Sequence, residues 1–476
     1  MDYTVLPYKR IKATGLLFGT IVLLIGVFCG IAILLLDDVG IYDLLFILPF
    51  CYGMVSFIAM SFIGGRIWKS IVSILLFGGY FIKMVVTPFL FAMGGYESFL
   101  GSCVTEKGII AAIIYMCLET ITVLGLAGYL GRKVNQKFDV KINFPQYNTK
   151  VFNWAVCLLF LFLLVAYIAI PAISEIYIFL PFADFSEIAE IRWDNETIVG
   201  RGSIERYMYS LFGFLWPVFR MIMPSLLISR SCKKYGTRTG GMFLSFLCLL
   251  LPAILLGGDN IAPFIGIFIG IIVIYKLYGK KSVKYLVLAG FFAVGILAIV
   301  MLSKLSLMSD WRGATGVSVV AQMIHNYFPG FDNMAVVFDM AQENKLNTLF
   351  FDLYYAIPFK ETLFGLRGDY IQDLFETYTE TGGQIIPFMG QLAYYLGPLS
   401  PFILALFVGF AYKMERKAKR SDNFWRYFIY MYISVSTAMS LSIYSVSVYI
   451  RDLVNVVLPI YLIIKLIERR RGALNG

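Results

Sequence analysis

Long apolar segments alternate with polar linkers along the chain, and about twelve of the segments are long enough to cross a lipid bilayer. A spanning helix needs about 20 mostly apolar residues. The segments cover approximately residues 14–36, 41–63, 68–94, 108–130, 153–173, 207–228, 242–257, 260–278, 285–303, 387–412, 425–447 and 452–467. The pattern predicts an all-α polytopic membrane protein in which residues 1–476 form a single integral membrane domain.

Lys and Arg are concentrated in alternate linkers, and this sets the predicted topology. The basic linkers are residues 1–12, 131–153, 229–241, 279–284, 413–426 and 468–476. Cytoplasmic loops retain Lys and Arg, so these linkers and both termini are predicted to be cytoplasmic. The first apolar segment is long enough to span, and no cleavable signal peptide is evident.

The composition agrees with this class of protein. The chain is 59% hydrophobic and only 15% charged, which excludes an ordinary soluble domain. A net charge of +10 suggests nucleic acid, but the basic cytoplasmic linkers account for it, so no nucleic-acid partner is expected. Of the seven cysteines only Cys103 falls in a predicted outer loop, and no Cys or His cluster suggests a metal.

Two predicted outer loops are much longer than the other linkers. One covers residues 174–206, and the other covers residues 304–386 between the ninth and tenth spans. Loops of this length are usually functional or disordered. The second is rich in Phe, Tyr, Leu and Ile, a composition that can bury surface. We expect it to form an ordered external lid with short helices, one of them over residues 369–380.

A second short helix of the lid carries the only histidine of the chain, His325. Apolar residues share one predicted face, and polar residues share the other; they are Val317, Val320, Ala321, Ile324 and Phe328, opposite Ser318, Gln322 and His325. This pattern predicts an amphipathic helix at the outer membrane surface, with His325 on its polar side.

Histidine is the usual general base near neutral pH, so His325 is the candidate catalytic residue. A hydrogen-bonded surface histidine without a catalytic role is the alternative. If His325 is not the base, a carboxylate such as Asp310 or Asp332 is the next candidate.

Arginines on the outer side are exceptions to the charge pattern. They are Arg192, Arg201, Arg206, Arg312, Arg367 and Arg451. The planar guanidinium matches phosphate oxygens, so we expect several of them to converge on a phosphate or pyrophosphate. Arg312 and Arg201 are favoured because a glycine follows each and lets the backbone approach a ligand closely. Pairing with loop acids, or contact with lipid headgroups, is the alternative.

Two tryptophans in the outer loops adjoin two of these arginines. Trp193 follows Arg192, and Trp311 precedes Arg312. An indole beside a charge suits a sugar phosphate, because the apolar face of a pyranose packs on it. Membership of an interfacial aromatic belt is the alternative.

Three charged residues fall in the interior of predicted spans, away from the span ends, where charge is costly. Lys83 and Glu119 lie on neighbouring spans, and we expect them to form a structural pair. Arg220 lies towards the cytoplasmic end of its span, where extension of the side chain to the inner interface is the favoured interpretation.

One segment at the entry to the tenth predicted span resembles a known family. It reads Gly382-Gly383-Gln384-Ile385-Ile386-Pro387, followed by Gly390-Gln391-Leu392-Ala393-Tyr394-Tyr395-Leu396-Gly397. With the twelve spans, the large outer loop and the external arginines, it resembles the Wzy-type oligosaccharide repeat-unit polymerases, relatives of the O-antigen ligases. These often show an Ile-Pro, a Gly-Glu-Leu-Tyr and a Gly at this place. Gln391 stands where Glu is common in that family.

The resemblance implies a glycosyltransferase at the outer face of the bacterial cytoplasmic (inner) membrane. Such enzymes transfer a growing O-antigen or capsule glycan from one undecaprenyl-pyrophosphate carrier to another carrier-linked repeat unit. No cofactor or metal is implied, because the pyrophosphate is already the leaving group. Chain-length regulators and other polysaccharide-assembly proteins are expected partners. The outer arginines would stabilise the departing pyrophosphate, and His325 would deprotonate the acceptor.

Two alternatives remain open at this point. A lipid-linked oligosaccharide flippase, or another transporter, can also have twelve spans, although such proteins tend to have short loops and two similar halves. Within the first class, a polymerase and a ligase differ in the acceptor, which the sequence does not show.

Overall fold

The computed structural model of the chain describes residues 8–36, 40–98, 100, 103–133, 149–176, 203–236, 239–254, 261–288, 290–291, 295, 316–340, 345–358, 370–380, 385–462 and 465. Within these ranges the protein is built of helices and contains no β-strand element. The all-helical fold class predicted from the sequence is therefore confirmed for the described residues.

The helices in chain order are α1 (Tyr8–Leu34), α2 (Ile47–Ile63), α3 (Ile71–Phe81), α4 (Thr87–Met93), α5 (Glu106–Arg132), α6 (Thr149–Ala169), α7 (Pro171–Ile176), α8 (Ser203–Tyr235), α9 (Thr239–Ile254), α10 (Ile261–Tyr278), α11 (Val317–Tyr327), α12 (Phe331–Asp339), α13 (Lys345–Tyr355), α14 (Ile371–Thr379), α15 (Phe388–Leu396), α16 (Ser400–Arg420), α17 (Phe424–Ile443) and α18 (Val446–Asp452). Short 3₁₀ helices cover Gly40–Tyr42, Gly64–Lys69, Gly279–Ser282 and Gly397–Leu399, and π-helical turns cover Ile82–Val86 and Leu453–Val457.

Six helical stretches of the described chain are long and apolar enough to cross a membrane. They are Ala13–Leu34, Gly40–Lys69, Ile71–Met93, Glu106–Arg132, Tyr207–Tyr235 and Phe388–Arg420. Each coincides with a segment predicted from the sequence, and two shorter apolar helices, Cys157–Ala169 and Thr239–Leu249, coincide with two more. The chain is a helical membrane protein, and the count of twelve spans stays a prediction.

Helices α1 to α5 form one packed unit with α12, α15 and α16, and α8 to α10 form a second. Helix α17 belongs to both, because its first half packs with the second unit and its last turns pack with the first. Its buried hydroxyl side chains bond to neighbouring helices: Ser434 Oγ donates to the Ala411 carbonyl at 3.0 Å, and the Thr437 and Tyr449 hydroxyls lie 2.8 Å apart. Small and hydroxyl-bearing residues are common where membrane helices approach closely.

Glycines allow close helix contacts in the first unit. A Cβ at Gly26 on α1 would lie 2.6 Å from the Pro49 carbonyl oxygen on α2. A Cβ at Gly128 on α5 would lie 2.9 Å from the Ala59 Cα, also on α2. Helix α2 is therefore held between two helices at distances that larger side chains do not permit.

The two ends of the bundle carry opposite charge. At one end, here called the basic end, Arg66 donates to the Arg132 carbonyl at 3.0 Å, and the Lys276 ammonium lies 4.4 Å from the Tyr427 ring centre. The opposite end, here called the acid-rich end, carries these described acids: Asp43, Glu97, Glu106, Asp332, Asp339, Asp352, Asp373, Glu376 and Glu380. The alternation of basic and non-basic linkers along the sequence therefore places many of the basic residues at one end of the bundle and many of the acidic residues at the other.

A buried glutamate ties α16 to the start of α3 at the basic end. The fully buried Glu415 accepts the Ser70 hydroxyl at 2.6 Å and the Ile71 backbone N–H at 2.9 Å. Lys419 lies one turn later on α16 and forms an ion pair with Glu415 at 2.9 Å. A carboxylate at a helix N-terminus satisfies backbone donors that the helix itself leaves open.

Lys83 and Glu119 form the structural pair expected from the sequence. The Lys83 ammonium donates to both oxygens of Glu119, at 3.0 and 2.9 Å, and both side chains are almost completely buried. The Tyr80 hydroxyl donates to the same carboxylate at 2.7 Å. Lys83 lies in the π-helical turn Ile82–Val86, a local irregularity that often marks a constrained position in a helix.

Arg220 does not extend to the inner interface, so that expectation was wrong. Its side chain is 2% exposed, and its guanidinium lies 5.9 Å from the Trp216 ring centre. A cation over an indole face is stabilised by the ring quadrupole, and this offsets part of the cost of burial.

The lid contains short helices at the two expected places. Helices α11 and α14 cover the segments in which amphipathic periodicity was recognised, and α12 and α13 lie between them in the chain. Helix α11 packs on α4, and α12 packs on α5. The other long loop, residues 174–206, lies almost entirely outside the described residues; its ends continue α7 and α8.

We predict that single substitution of Lys83 or Glu119 destabilises the protein by about 3–5 kcal/mol, because each leaves one unpaired charge in the bundle. Lys83→Met combined with Glu119→Leu should be less harmful than either single change, since no buried charge remains. Thermal unfolding in detergent across this double-mutant cycle measures the coupling. Additive single and double effects would contradict the pairing.

Candidate functional site

Most of the site residues predicted from the sequence lie outside the described residues. These are Arg192, Arg201, Arg312, Arg367, Trp193 and Trp311. Arg206 lies in the first turn of α8, and its side chain is likewise outside the described set. The predicted convergence of arginines on a pyrophosphate therefore stays a prediction.

His325 lies on α11, as expected, but the polar side of this helix faces the protein. Ser318, Gln322 and His325 are 4–5% exposed, whereas Val317 and Val320 are 45% and 39% exposed. The expectation of an outward polar face was therefore wrong, whereas the position of α11 at the outer membrane surface stays a prediction. The spacing of apolar and polar residues defines two faces of α11, but it does not predict which face packs against the rest of the protein. A polar face turned inward and an apolar face turned outward fit a helix at the depth of lipid.

Specific contacts hold α11 against the turn that follows α4. The Gln322 side-chain amide donates to the Glu97 carbonyl. A Cβ at Gly94 would lie 2.8 Å from the Ser318 Cα, so glycine is required for this approach. Tyr96 in the same turn has a positive φ of 59°, a strained conformation for a residue with a side chain.

The environment of His325 is apolar. Its ring centre lies 5.1 Å from that of Phe331, and its Nε2 has no hydrogen-bond partner among the described residues. Burial, together with the charge of Lys83, lowers the pKa of His325 to about 3. The imidazole is therefore neutral at physiological pH, and it is a weak base.

Asp332 lies in the first turn of α12, close to His325 in the chain, and is 2% exposed. One of its oxygens accepts the Ser98 hydroxyl at 2.6 Å, and the Tyr42 side chain lies beside it. Burial raises the pKa of Asp332 to about 6. We call Tyr42, Ser98 and Asp332 the Asp332 cluster.

A second buried carboxylate, Asp352 on α13, organises a polar network. Its Oδ1 accepts the Ile371 backbone N–H at 3.1 Å, and its Oδ2 accepts the Tyr395 hydroxyl at 2.6 Å. The Gln391 amide donates to the same Oδ2, and the Gln391 carbonyl oxygen accepts the Ser447 backbone N–H at 3.1 Å. We call Asp352, Gln391, Tyr395 and Ser447 the Asp352 cluster. Burial raises the pKa of Asp352, and its hydrogen bonds reduce that shift.

The starts of two helices position this network. Pro387 precedes α15 with an extended backbone, and the helix begins at Phe388. Gln391 and Tyr395 lie four residues apart on this helix, and this spacing places them on the same side. Ser445 caps α18 by accepting the Val448 backbone N–H at 3.3 Å, which places Ser447 in the first turn beside Gln391.

Aromatic and charged side chains adjoin the Asp352 cluster. The rings of Tyr355 and Tyr370 lie 4.1 Å apart. Burial and the nearby carboxylates of Asp373 and Glu376 raise the pKa of Tyr370, and the charge of Arg451 opposes the shift. Arg451 is exposed and lies close enough to Tyr370 to affect its pKa. Tyr370 directly precedes Ile371, whose backbone N–H bonds Asp352.

Sequence reasoning recognised Gln391 and Tyr395 in a motif but missed Asp352. The available signal was an acid in the middle of an apolar run, Phe350-Phe351-Asp352-Leu353-Tyr354. An acid in such a run needs a buried partner, but the pattern does not say that the partners lie 39 and 43 residues later.

No group of three or more His, Cys, Asp and Glu side chains in the described part of the chain is placed to hold a metal ion. No protein-family model matches the chain, and neither a curated protein nor a solved structure shows significant similarity to it.

We predict that His325 makes the protein sensitive to acid. Because the folded-state pKa is about 3 and the ordinary value is 6.5, the unfolded chain takes up the proton first as the pH falls below 6.5. Stability is therefore lost between pH 6.5 and about 3. His325→Gln should lose less stability in this range, measured as the unfolding midpoint in detergent at several pH values. Equal acid sensitivity of the two proteins would contradict the assignment.

Proposed function

We propose that this protein is a glycosyltransferase that polymerises undecaprenyl-pyrophosphate-linked oligosaccharide repeat units at the outer face of a bacterial cytoplasmic membrane. The observation that supports it most is the Asp352 cluster. It joins a buried carboxylate to Gln391 and Tyr395, which belong to the segment that resembles the Wzy-type polymerases.

The charge separation across the bundle supports the proposed orientation. With the basic end in the cytoplasm, as the positive-inside rule requires, the Asp352 and Asp332 clusters lie at the outer face. Both termini are then cytoplasmic. The carrier lipid is flipped before polymerisation, so a site for its glycan belongs on this side.

The Asp352 cluster has the chemistry of a sugar site. A carboxylate bonds sugar hydroxyls strongly, because hydrogen bonds to an ionised acceptor are stronger than neutral ones. The Tyr355 and Tyr370 rings offer an apolar face beside it. In that family a Glu is common at the position of Gln391; here Asp352 brings a carboxylate to Gln391 from another helix.

In the proposed step Asp352 accepts the proton of an acceptor hydroxyl. The freed oxygen attacks the anomeric carbon of the donor glycan, a new C–O bond forms, and the C–O bond to the pyrophosphate breaks. The electron pair leaves with undecaprenyl pyrophosphate. A base whose pKa is raised towards the working pH is better matched to this transfer than one whose pKa is lowered.

His325 was the base expected from the sequence. Its pKa is lowered, whereas the pKa of Asp352 is raised, and this makes His325 the weaker candidate. The arginines outside the described residues, together with Arg206 and the exposed Arg451, are proposed to bind the pyrophosphate and stabilise its developing charge. Trp193 and Trp311 are proposed to stack on donor sugars.

A lipid-linked oligosaccharide flippase is the second candidate, and one observation favours it. Charged side chains are buried inside spans at Lys83, Glu119 and Arg220, and polar residues at this depth often mark transport pathways. The Lys83–Glu119 pair is fully hydrogen-bonded, which is the arrangement of a structural pair.

The decisive experiment incubates the purified protein with purified lipid-linked repeat units. A ladder of glycan lengths identifies a polymerase. Asp352→Asn should lower the rate by roughly 10²–10⁴-fold, the usual contribution of a general base. Asp373→Asn, an isosteric loss of charge on the neighbouring helix α14, should stay within a few fold of the parent.

His325→Gln and Asp332→Asn, measured in the same assay, compare the three candidate bases. If only His325→Gln lowers the rate of polymerisation, His325 and not Asp352 is the general base. Transbilayer movement of the lipid in vesicles without any ladder would establish the flippase instead.

We also predict the orientation. In a cysteine-free background, a membrane-impermeant maleimide added outside intact cells should label Thr377→Cys at the acid-rich end. Lys417→Cys at the basic end should react only after permeabilisation. Both positions are exposed. The reverse pattern would overturn the proposed topology.

A further inference from the structure

Three cationic side chains lie at one place on the basic end, where α2 and α5 finish side by side. Arg66 and Lys69 belong to the 3₁₀ helix Gly64–Lys69, and Arg132 is the last residue of α5. We call these three residues the basic cluster. None of them forms an ion pair with a carboxylate in the described part of the chain. Like charges held together repel one another, so this arrangement favours an anionic partner.

The local backbone brings the three cations together. Gly64, with a φ of 62°, ends α2 and turns the chain into the 3₁₀ helix. Side chains three residues apart eclipse one another in a 3₁₀ helix, so Arg66 and Lys69 lie on the same side, close enough for their charges to repel. Arg66 also donates to the Arg132 carbonyl at 3.0 Å, so the side chain of Arg132 begins where the Arg66 guanidinium ends.

The described carboxylate next to this turn has other partners. Glu415 accepts hydrogen bonds from Ser70 and Ile71 and is paired with Lys419 at 2.9 Å. Lys419 also donates to the Lys69 carbonyl, which fixes the end of α16 against the turn. The charge of Glu415 is therefore balanced by Lys419 and does not compensate the basic cluster.

Trp68, which lies between Arg66 and Lys69 in the chain, indicates the depth of the cluster in the membrane. Its side chain is 58% exposed, and its ring packs edge-on against that of Phe18 on α1, with 5.3 Å between the ring centres. Exposed tryptophans are enriched at the membrane–water interface, where the indole lies at the level of the lipid headgroups. The cations beside Trp68 therefore lie at the depth of lipid phosphates, and the two aromatic rings offer apolar surface to an acyl chain.

We propose that the basic cluster binds the phosphate headgroup of one anionic phospholipid from the leaflet that the basic end faces. The guanidinium groups match phosphate oxygens, and Lys69 adds a third positive charge. Basic pockets between membrane helices on the cytoplasmic side are a usual form of site for anionic headgroups. The positive-inside rule explains why the cations lie at this end, whereas the lipid explains why three of them share one place without an acid.

The bound lipid has a structural consequence. Arg66 and Lys69 follow α2, and Arg132 ends α5, so one headgroup contacts both helices of a close-packed pair. The lipid therefore stabilises the first packed unit and removes the repulsion among the three cations.

The experiment measures the unfolding midpoint of the detergent-purified protein during titration with phosphatidylglycerol. Phosphatidylcholine with the same acyl chains is the zwitterionic comparison, and inorganic phosphate tests a free anion. Because a ligand that binds only the folded state stabilises it, the midpoint should rise with phosphatidylglycerol and then saturate. The other two additions should leave it nearly unchanged.

Two double variants assign the effect to the basic cluster. Lys69→Gln with Arg132→Gln removes two of its charges and keeps the bond from Arg66 to α5. It should raise the phosphatidylglycerol concentration at half-saturation by roughly tenfold or more. The matched control is Lys280→Gln with Lys281→Gln, which removes two exposed charges from another 3₁₀ helix at the basic end. It should respond to phosphatidylglycerol as the parent does.

A fluorescence measurement on the parent protein does not depend on the stability of those variants. Phosphatidylglycerol with brominated acyl chains should quench tryptophan fluorescence more than brominated phosphatidylcholine, because bromine quenches only nearby indoles. Trp68→Phe should remove this difference.

Three results would overturn the proposal. The first is an equal rise of the midpoint with phosphatidylglycerol and phosphatidylcholine. The second is an equal loss of response in the two double variants, as expected for a general effect of surface charge. The third is a rise with inorganic phosphate that matches the rise with phosphatidylglycerol, which would make the ligand a free anion. None of these measurements needs enzymatic activity, so the proposal and the proposed function are tested independently.

Discussion

The interior of a membrane-spanning helix bundle offers buried polar groups few partners except one another, and this constraint governs where they lie. A polar group transferred from water needs a protein partner, and a charge needs an opposite charge as well. The Lys83–Glu119 pair meets the requirement with three hydrogen bonds to one carboxylate. Glu415 meets it differently, with a hydroxyl, a backbone N–H and a lysine. In both cases hydrogen-bond donors come from a distant part of the chain, Lys83 and Tyr80 for Glu119 and Ser70 and Ile71 for Glu415, so the polar contacts specify which helices are neighbours.

The same constraint divides the acid-rich end into two kinds of site. At Asp352 the carboxylate accepts three hydrogen bonds from two other helices, α14 and α15, which hold it in one orientation. At Asp332 the described donors are fewer, and several neighbouring oxygens stay unsatisfied.

The sequence predicted those parts of the fold that depend on local periodicity or on a single strong rule. Apolar runs predicted the helices that are long and apolar enough to cross a membrane, and the cost of intramembrane charge predicted the Lys83–Glu119 pair. Periodicity also located α11, but it did not say that its polar face would turn inward. That depends on whether water or lipid surrounds the helix, which residues 317–327 alone do not encode.

The Asp352 cluster was beyond sequence reasoning for a different reason. Its members come from α13, α15 and α18, and no spacing rule relates positions 352, 391 and 447. The motif around Gln391 identified only the residues that α15 contributes to the cluster. The carboxylate that gives the site its chemistry depends on tertiary packing, which a single sequence does not reveal.

The contact between Glu415 and the start of α3 bears on the order in which the chain is assembled. Residues 70 and 415 are separated by 345 positions, whereas Lys83 and Glu119 are separated by only 36. During synthesis the ribosome delivers both members of the ion pair early, so the first helices can associate while translation continues. The N-terminus of α3 keeps an open backbone donor until α16 has been inserted. The early helices therefore associate before the bundle is complete, and the later insertion of α16 supplies the missing acceptor at the N-terminus of α3.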